Sequence, residues 1–372
     1  MPEDTSAPLM GAVKFRPGLG FRKVLNDSLS IFVKDALRVA LKSPSQALFL
    51  VKAGAWQRRS ARIRANWEKQ GIHIPPIMIF SITNRCNLHC KGCYHRALHE
   101  SGRAEMEAEK VKSVVAEAKE LGFSIIAVAG GEPLVRPEIY EITAAYPEII
   151  YLVFTNGTMI DDEALGKIAS RKNFVPVLSL EGYQADTDAR RGQGVYAGLK
   201  SVIGRLKSRD VFWAVSLTVT RNNFDTITDE GFVKELVEAG CKLFFFVEYT
   251  PVSEDTEDWV PTDEQRDRML EMRDKMRARF PALFIAIPGD EEEIGGCLSA
   301  GRGFIHISAE GNVEPCPFAP YSDTSVRDMS LKDALQSEFL RTIRDNHDKL
   351  TETEGGCAIW TERAWVKSLV NK

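Results

Sequence analysis

The chain has 372 residues, of which 44% are hydrophobic and 27% are charged, so it has the composition of a globular protein with room for one large domain or two. Its formal net charge of −4 argues against a general nucleic-acid binder, because such proteins are usually basic. No apolar run reaches the roughly 18 residues that a membrane span needs. The N-terminal residues also lack the pattern of a secretory signal, so the cytoplasm is the expected location.

Residues 1–75 are predicted to form an N-terminal helical segment. Two helical patterns cover roughly Val24–Leu41 and Ser45–Trp67. They break at Ser43-Pro44, because proline is tolerated in the first turn of a new helix but not inside one.

The second of these helices begins apolar and becomes strongly basic. Its six cations are accompanied by a single acid, Glu68. Three interpretations are open: a lid packed on the rest of the protein, an interfacial helix on an anionic membrane, or a docking surface for a protein or peptide. The second interpretation makes residues 45–69 a peripheral membrane contact and favours a lipid substrate, such as an isoprenoid.

From residue 77, short apolar runs rich in β-branched residues alternate with longer helical patterns. Apolar strands separated by helices indicate a parallel sheet that is buried on both faces. Six such units over residues 76–285 predict an α/β fold, a partial (βα)₆ barrel of the TIM type, whose chemistry lies at the C-terminal ends of the strands. The predicted strands are Ile77–Thr83, Ser124–Ala129, Ile150–Phe154, Val175–Leu180, Phe212–Val219 and Leu243–Tyr249, and the clearest helices are Ala108–Leu121, Asp162–Ser170, Val195–Lys207 and Glu230–Ala239.

Residues 286–372 are predicted to form a small C-terminal lobe. The pattern there is irregular and rich in glycine, and it ends in helices near Leu331–Asn346 and Ile359–Val370. The acidic run Asp290–Glu293 is expected to be a solvated loop.

Seven cysteines in a chain with no export signal are not expected to form a disulfide framework. Three of them, Cys86, Cys90 and Cys93, occur within eight residues directly after the first predicted strand. A tetrahedral zinc ion or a fully ligated cluster needs four protein ligands, whereas three thiolates leave one iron of a cubane open. The alternative is a zinc knuckle, whose fourth ligand would be His89, His95 or His99.

The cysteine spacing, its position after the first strand and the aromatic Tyr94 after the last cysteine resemble the radical S-adenosylmethionine (SAM) family. The resemblance implies that Cys86, Cys90 and Cys93 hold a [4Fe–4S] cluster whose open iron binds SAM, with Tyr94 beside it. Reduction by a flavodoxin- or ferredoxin-type donor would then cleave SAM to methionine and a 5′-deoxyadenosyl radical, which abstracts a hydrogen atom.

Two later segments agree with this resemblance. Gly130, Gly131 and Glu132 follow the second predicted strand and are similar to the family's GGE motif, which contacts the SAM amino group. Glycines in such a motif let the backbone come close to a ligand.

The second segment, SLEG followed by RRG, is similar to the family's SLDG…RG stretch, with Glu181 where aspartate is more usual. The resemblance implies that Ser179 meets the SAM ribose or carboxylate and that Arg190 or Arg191 pairs with the carboxylate. The polar residues at two further strand ends are expected either to contact SAM or substrate or to serve as turn residues; they are Asn156 and Thr218.

The segment CLSAGRGFIHISAEGNVEPCPF reads as a hairpin that would bring Cys297 and Cys316 together, and Cys357 can fold back as a third thiol. These cysteines resemble the SPASM and twitch extensions of the family, which implies a second, auxiliary [4Fe–4S] cluster. His306, Glu354, water or substrate would supply its fourth ligand. The alternative is a structural lobe with three buried free cysteines, and Cys241 is expected to be a core residue of that kind.

The sequence therefore predicts an enzyme that generates a radical from SAM and acts on an unidentified substrate. A lipid or isoprenoid is one candidate, and a peptide or partner protein is the other. A non-catalytic iron–sulfur or zinc protein is the remaining alternative, but it leaves the GGEP and SLEG segments unexplained. Nothing in the sequence predicts a nucleic-acid partner.

Overall fold

A computed structural model describes residues 21–41, 43–99, 103–293, 295–350 and 357–370. Its centre is one nine-stranded sheet in the order β7-β6-β5-β4-β3-β2-β1-β8-β9, in which β1 to β8 run parallel and β9 is antiparallel to β8. The strands are β1 Ile77–Ser81, β2 Ile125–Ala129, β3 Ile150–Thr155, β4 Phe174–Leu180, β5 Trp213–Val219, β6 Cys241–Glu248, β7 Leu283–Ile287, β8 Phe304–Ile307 and β9 Val313–Glu314.

Helices precede the sheet, connect its strands and follow it. The two N-terminal helices and the crossover helices are α1 Phe21–Ala40, α2 Pro44–Glu68, α3 Tyr94–Leu98, α4 Ala108–Leu121, α5 Glu138–Ala145, α6 Asp162–Ala169, α7 Gln184–Arg191, α8 Val195–Ser208, α9 Phe224–Ile227, α10 Glu230–Glu238 and α11 Asp263–Arg279. The later helices are α12 Gly289–Glu293, α13 Leu331–Ala334, α14 Glu338–Asp345, α15 Ala358–Thr361 and α16 Arg363–Val370.

The sheet is apolar on both faces because each face packs against helices. The outer face contacts α4 and the other crossover helices in a large buried cluster. A second cluster on the inner face joins α1 and the start of α2 to the lower parts of β4 to β7; its buried members are Ala36, Val39, Ala40, Leu50, Val175, Val177, Ala214, Leu243, Phe245 and Leu283. The predicted partial barrel is thus confirmed, and α1 fills its lower end.

The break between α1 and α2 lies at the predicted position. Ser43 caps α2 by accepting a hydrogen bond from the Gln46 N–H, and Pro44 occupies the first turn. The Ser43 hydroxyl also binds the Asp210 carboxylate, and Gln46 Nε2 donates to the Asp210 carbonyl at 2.7 Å. Since Asp210 precedes β5, these bonds attach the start of α2 to the lower end of the barrel.

The rest of α2 follows the same edge of the sheet. Gln57 donates to the Ser124 carbonyl at 3.4 Å, and Arg64 donates to the Gly122 carbonyl at 2.5 Å. Both acceptors stand just before β2. Helix α2 therefore crosses the N-terminal ends of the strands, opposite the edge that carries the predicted chemistry.

The sheet is larger than the six predicted units. The short strand β7 was not expected, and β8 lies beside β1 in the same sheet, with Ile77 opposite Phe304. The predicted hairpin is present as β8 and β9, in which His306 pairs with Glu314. Residues 304–314 thus extend the barrel sheet beyond β1. This pairing satisfies the backbone groups of β1, which would otherwise be an unpaired edge.

The acidic run that was expected to be a solvated loop begins instead as an anchoring turn. Asp290 accepts hydrogen bonds from Arg273, Arg277 and the Ala286 N–H. Asp290 and Asp274 both pair with these two buried arginine side chains, so the arginines are not left without a counter-charge. None of the helices in the described ranges combines the length and the apolar character needed to cross a bilayer.

Candidate functional site

The three-cysteine loop leaves the C-terminal end of β1. Cys86, Cys90 and Cys93 are all half-buried, and Cys93 is the residue that precedes α3. Burial raises the pKa of the Cys86 thiol, and the other two thiols add to that shift. The three sulfur atoms therefore lie near one another at one edge of the sheet.

The zinc-knuckle alternative would need one of three nearby histidines beside the three cysteines. Four ligands about 2.3 Å from one zinc ion would lie about 3.8 Å apart. Within the described ranges, no three His, Cys, Asp or Glu side chains are arranged to hold a single metal ion. His89 is exposed, whereas His95 is buried and stacks on His99 with ring centroids 4.9 Å apart.

The glycine pair after β2 supports the cysteine loop. The Gly131 N–H donates to the Thr83 carbonyl and the Glu132 N–H to the Arg85 carbonyl, both at 2.8 Å. A Cβ atom on Gly130 would lie 2.3 Å from the Thr83 oxygen, and one on Gly131 would lie 2.2 Å from the Arg85 oxygen. The two glycines were expected to let the backbone come close to a ligand. In this structure they come close to the backbone that leads into Cys86.

We expect Gly131→Ala to displace this backbone, because the Arg85 carbonyl cannot move aside as a flexible side chain could. Overpacking of this kind costs about 1–3 kcal/mol of folding free energy. The measurement is iron per chain after anaerobic reconstitution, together with the midpoint of urea unfolding, and both should fall. Gly166→Ala is the matched control, since Gly166 lies in α6 with nothing within 4 Å of an added Cβ. Equal iron in the two variants would contradict the prediction.

Glu132 is buried and joins the ends of β2 and β3. Its Oε1 accepts hydrogen bonds from the Thr155 hydroxyl at 2.7 Å and the Leu134 N–H at 3.0 Å, and its Oε2 accepts one from the Asn156 N–H at 2.7 Å. Burial raises the pKa of this carboxyl, and the three donors oppose the rise. Oε2 keeps capacity for one more donor.

Asn156 connects this arrangement to the cysteine loop. Its amide nitrogen donates to the Asn87 Oδ1 at 2.8 Å, and the Asn87 amide donates to the Thr158 hydroxyl at 2.7 Å. Asn87 lies between Cys86 and Cys90, and the sequence analysis did not single it out. Its spacing from the cysteines gave no indication of partners in the segment that follows β3.

The two arginines expected to meet a SAM carboxylate are paired with Glu181. Glu181 Oε1 accepts from Arg190 Nη1 at 2.5 Å and from Arg191 Nε at 2.8 Å. Arg190 Nη1 also donates to the Thr218 hydroxyl at 2.9 Å. Glu181 is fully buried, and its Oε2 has no hydrogen-bond partner among the described residues.

Helix α7 touches the cysteine loop directly. The Lys91 N–H donates to the Arg190 carbonyl at 2.9 Å. Burial raises the pKa of the Cys90 thiol, while the nearby Arg191 guanidinium lowers it. A fixed positive charge therefore lies beside the cysteines, where it would stabilise thiolates.

Tyr94 follows Cys93 at the start of α3. Its ring packs against Phe318 with centroids 5.0 Å apart, and burial raises its pKa. Cys93 and Cys316 both contribute to that shift, so Tyr94 lies near one cysteine of each site. Its place beside SAM remains only an expectation.

A second aromatic pair, missed by the sequence analysis, closes on Gly92. The rings of Tyr249 and Trp259 lie 5.3 Å apart, and a Cβ on Gly92 would be 2.5 Å from the Tyr249 hydroxyl. The Gly92 φ of +60° is also a conformation that favours glycine. In the sequence, the glycine between Cys90 and Cys93 was the one sign that another group packs closely against the loop.

The inner face of the sheet above α1 carries partly buried side chains at this edge, and this part of the face is called the cavity wall. Phe154, Val247 and Ile285 belong to the inner cluster but are only partly buried. Ser179 pairs with Ser216 in the β4–β5 register, and both are partly exposed on the same face, as is Thr218. The cavity wall is thus apolar on β3, β6 and β7 and carries hydroxyls on β4 and β5.

The C-terminal cysteines also converge. Cys297 and Cys316 are buried, Cys357 is half-buried before α15, and the Ala300 N–H donates to the Pro315 carbonyl at 2.9 Å. Burial raises the pKa of the Cys316 thiol, and Cys357 and Cys297 add to the rise.

Of the two protein side chains considered as a fourth ligand, His306 is the one that the structure describes. His306 is buried with Nε2 at 2.8 Å from the Ser81 hydroxyl and Nδ1 at 2.8 Å from Glu314 Oε2, so both ring nitrogens are engaged. Glu354 lies outside the described residues. Glu291, which was expected to lie in a solvated loop, is instead a neighbour of Cys297, and burial raises its pKa to about 7. Cys241 lies in the core, as expected.

Family models match two parts of the chain. Residues 80–236 match the model described as the radical SAM superfamily, and residues 297–358 match SPASM, described as an iron–sulfur cluster-binding domain. The first range includes the cysteine loop and the ends of β2 to β5, and the second begins at Cys297 and includes Cys316 and Cys357.

Named proteins with similar sequences include two kinds of enzyme. An AdoMet-dependent heme synthase of Methanosarcina barkeri is 25% identical over 313 residues, which is 77% of this chain and 88% of that protein. The mycofactocin maturase MftC of Mycolicibacterium smegmatis is 25% identical over 309 residues, 78% of this chain and 76% of that protein.

A solved structure has the same fold. SuiB of Streptococcus suis bound to S-adenosylmethionine superposes with a TM-score of 0.63, covering 82% of this chain and 78% of that one at 18% identity. SuiB bound to the precursor peptide SuiA gives a TM-score of 0.61, with coverage of 78% and 71% at 18% identity.

Proposed function

Because this chain belongs to the radical SAM superfamily and carries an iron–sulfur cluster-binding SPASM domain, we propose that it abstracts hydrogen from a substrate held against the cavity wall of the partial barrel. The two domains imply a [4Fe–4S] cluster, SAM and auxiliary iron–sulfur clusters. When bound and reduced, the first cluster supplies reductive cleavage of SAM to a 5′-deoxyadenosyl radical. Residues 80–236 and 297–358 would correspond to the catalytic barrel and the auxiliary site.

The observation that carries the proposal is the set of three half-buried thiols at the same edge of the sheet as the cavity wall. Cys86, Cys90 and Cys93 would hold the first cluster with one iron left for SAM. Two features of this edge fit a bound ligand: Glu181 Oε2 and the Tyr249 hydroxyl are buried polar atoms that lack a hydrogen-bond partner in the described structure. Buried polar groups usually have partners, which a ligand can supply.

The polar side chains at this edge would hold SAM. Glu132 Oε2 can accept one more hydrogen bond, which suits an ammonium group. Ser179 and Thr218 offer hydroxyls from the inner face, and Arg190 reaches the same face through Thr218. Arg191 would act on the cluster side, beside Cys90. Gly130 and Gly131 would contribute by holding the cysteine loop in place.

The reacting C–H bond of the substrate is proposed to lie in an apolar group. The cavity wall on β3, β6 and β7 is apolar, so a polar substrate group there would lose its hydration without compensation. A peptide with an apolar side chain fits this wall, and maturases among the relatives favour that class. A lipid or isoprenoid also fits the wall, but those relatives give it no support.

The test is anaerobic: reconstitute the full chain, add SAM and dithionite, and measure 5′-deoxyadenosine. Its formation would support the proposal, and its absence from a properly loaded protein would refute it. Adding peptide or lipid fractions of a source-cell extract then separates the substrate classes. Stimulation by the peptide fraction alone would favour a maturase.

The second cluster gives a separate prediction. We expect about eight irons per chain in the reconstituted protein and about four in Cys297→Ala, because one ligand of the auxiliary cluster is lost. The measurement is iron and sulfide per chain. Cys241→Ala removes an equally buried cysteine away from both sites and should keep about eight. Unchanged iron in Cys297→Ala would reduce the C-terminal cysteines to core residues.

A further inference from the structure

Helix α2 has one face buried on the barrel and one face in solvent. The buried residues are Gln46, Leu50, Ala53, Gln57 and Arg64, which repeat at helical spacing. The opposite side of the helix is exposed, and its apolar, cationic and other members include Leu48, Val51, Lys52, Ala55, Arg58, Arg59, Arg62, Asn66 and the C-cap residue Lys69. This second set is called the outer α2 face.

The start of the outer α2 face is apolar. Leu41 in the preceding turn is 65% exposed, Leu48 is 59% exposed and Val51 is 56% exposed. The other exposed large hydrophobic residues in the described structure are scattered over distant elements, whereas these three occur within eleven residues of chain. Exposed large apolar residues that are grouped along the chain in this way mark a contact surface more often than scattered ones do.

The remainder of the outer α2 face is basic. Lys52, Arg58, Arg59, Arg62 and Lys69 contribute positive charge, and Arg59 also lies near Glu148. Glu68, the acid on this helix, lies on the other side, 3.2 Å from His73. The whole chain has a net charge of −4, so this concentration of cations is local.

We propose that the outer α2 face docks the protein on an anionic lipid surface. The apolar group of Leu41, Leu48 and Val51 would enter the boundary between headgroups and acyl chains, and the cations would lie against the lipid phosphates. Nucleic acid would use the cations but would leave the apolar group exposed to water. A lipid surface accommodates both parts of the face.

The orientation of α2 separates docking from substrate choice. This helix crosses the N-terminal ends of the strands, as its bonds to Gly122 and Asp210 show. The cysteine loop and the cavity wall are at the opposite ends, so they face away from the docked lipid. Membrane contact therefore does not imply that the substrate is a lipid.

The test is sedimentation of the full, anaerobically reconstituted chain with phosphatidylcholine vesicles that do or do not contain phosphatidylglycerol. We expect co-sedimentation with the anionic vesicles alone, weakening as salt is raised. The double variants Leu48→Asp/Val51→Asp and Arg58→Glu/Arg62→Glu should each weaken binding at least about tenfold, given the contribution of single cations near such a surface.

Lys200→Glu/Lys207→Glu is the charge-matched control, because both lysines are exposed on α8. It should keep wild-type binding, and all variants should keep wild-type iron content and 5′-deoxyadenosine formation. Failure of the wild-type protein to sediment with anionic vesicles would overturn the proposal and leave an acidic protein partner as the occupant. An equal loss in the control would also overturn it, since only net charge would then matter.

Discussion

Replacing Cys90 with alanine is expected to abolish the formation of 5′-deoxyadenosine from SAM. Cys90 is the middle one of the three thiols after β1, and Arg191 lies beside it. With two thiolates left, the loop cannot complete the three-ligand set that a site-differentiated cubane needs. The loss should be complete within the sensitivity of a chromatographic assay, because no other described group of residues offers this site.

The iron content distinguishes a lost cluster from a misfolded chain. Cys90→Ala should fall from about eight to about four irons per chain and keep the auxiliary signal in electron paramagnetic resonance spectra. Cys241→Ala provides the matched control and should retain both iron and turnover. Residual 5′-deoxyadenosine at more than trace levels in Cys90→Ala would show that Cys90 is not a ligand.

The second large effect is expected from Glu181→Ala. Glu181 is fully buried and forms ion pairs with Arg190 and Arg191, whose side chains are also largely buried. Removing one member of a buried ionic group leaves the others uncompensated and costs about 3–5 kcal/mol. The free energy of unfolding, measured anaerobically in urea, should fall by that amount.

Two comparisons test the physical cause. Asp162→Ala removes an exposed partner of Arg205 and should change the free energy of unfolding by less than about 1 kcal/mol. Glu181→Asp keeps the charge but shortens the reach, so its loss should be smaller than that of Glu181→Ala. A similar loss in Asp162→Ala would mean that burial of the Glu181 group is not the reason for the effect.

Most secondary structure follows from local pattern. The six predicted strands coincide with β1 to β6 to within a few residues at each end, because continuous apolar β-branched runs have few alternatives in a folded chain. The start of α2 was equally clear from Ser43 and Pro44. Strand β8 was harder to predict, because it has a polar residue, His306, at its centre. Burial of His306 is possible because both ring nitrogens have partners, Ser81 and Glu314.

The positions of the site residues followed from the motifs, but their partners did not. The cysteine loop, GGE and SLEG segments all stand at the same edge of the sheet, as a parallel fold requires. Whether an arginine at this edge binds a ligand or pairs with Glu181 depends on which side chains are buried next to it in the folded protein. The partner of Tyr94 also depends on tertiary packing, since its ring packs against Phe318, far away in the sequence.

By itself the sequence determined the fold class, the three-cysteine loop and the family resemblance, because periodicity and ligand spacing are properties of neighbouring residues. The tertiary structure decided that Gly131 must be small for the Arg85 carbonyl, that Glu181 pairs with two arginines, and that α2 lies opposite the cavity wall. These are contacts between residues far apart in the chain. They depend on burial and on how distant elements pack together, and neither can be read from a single segment of the sequence.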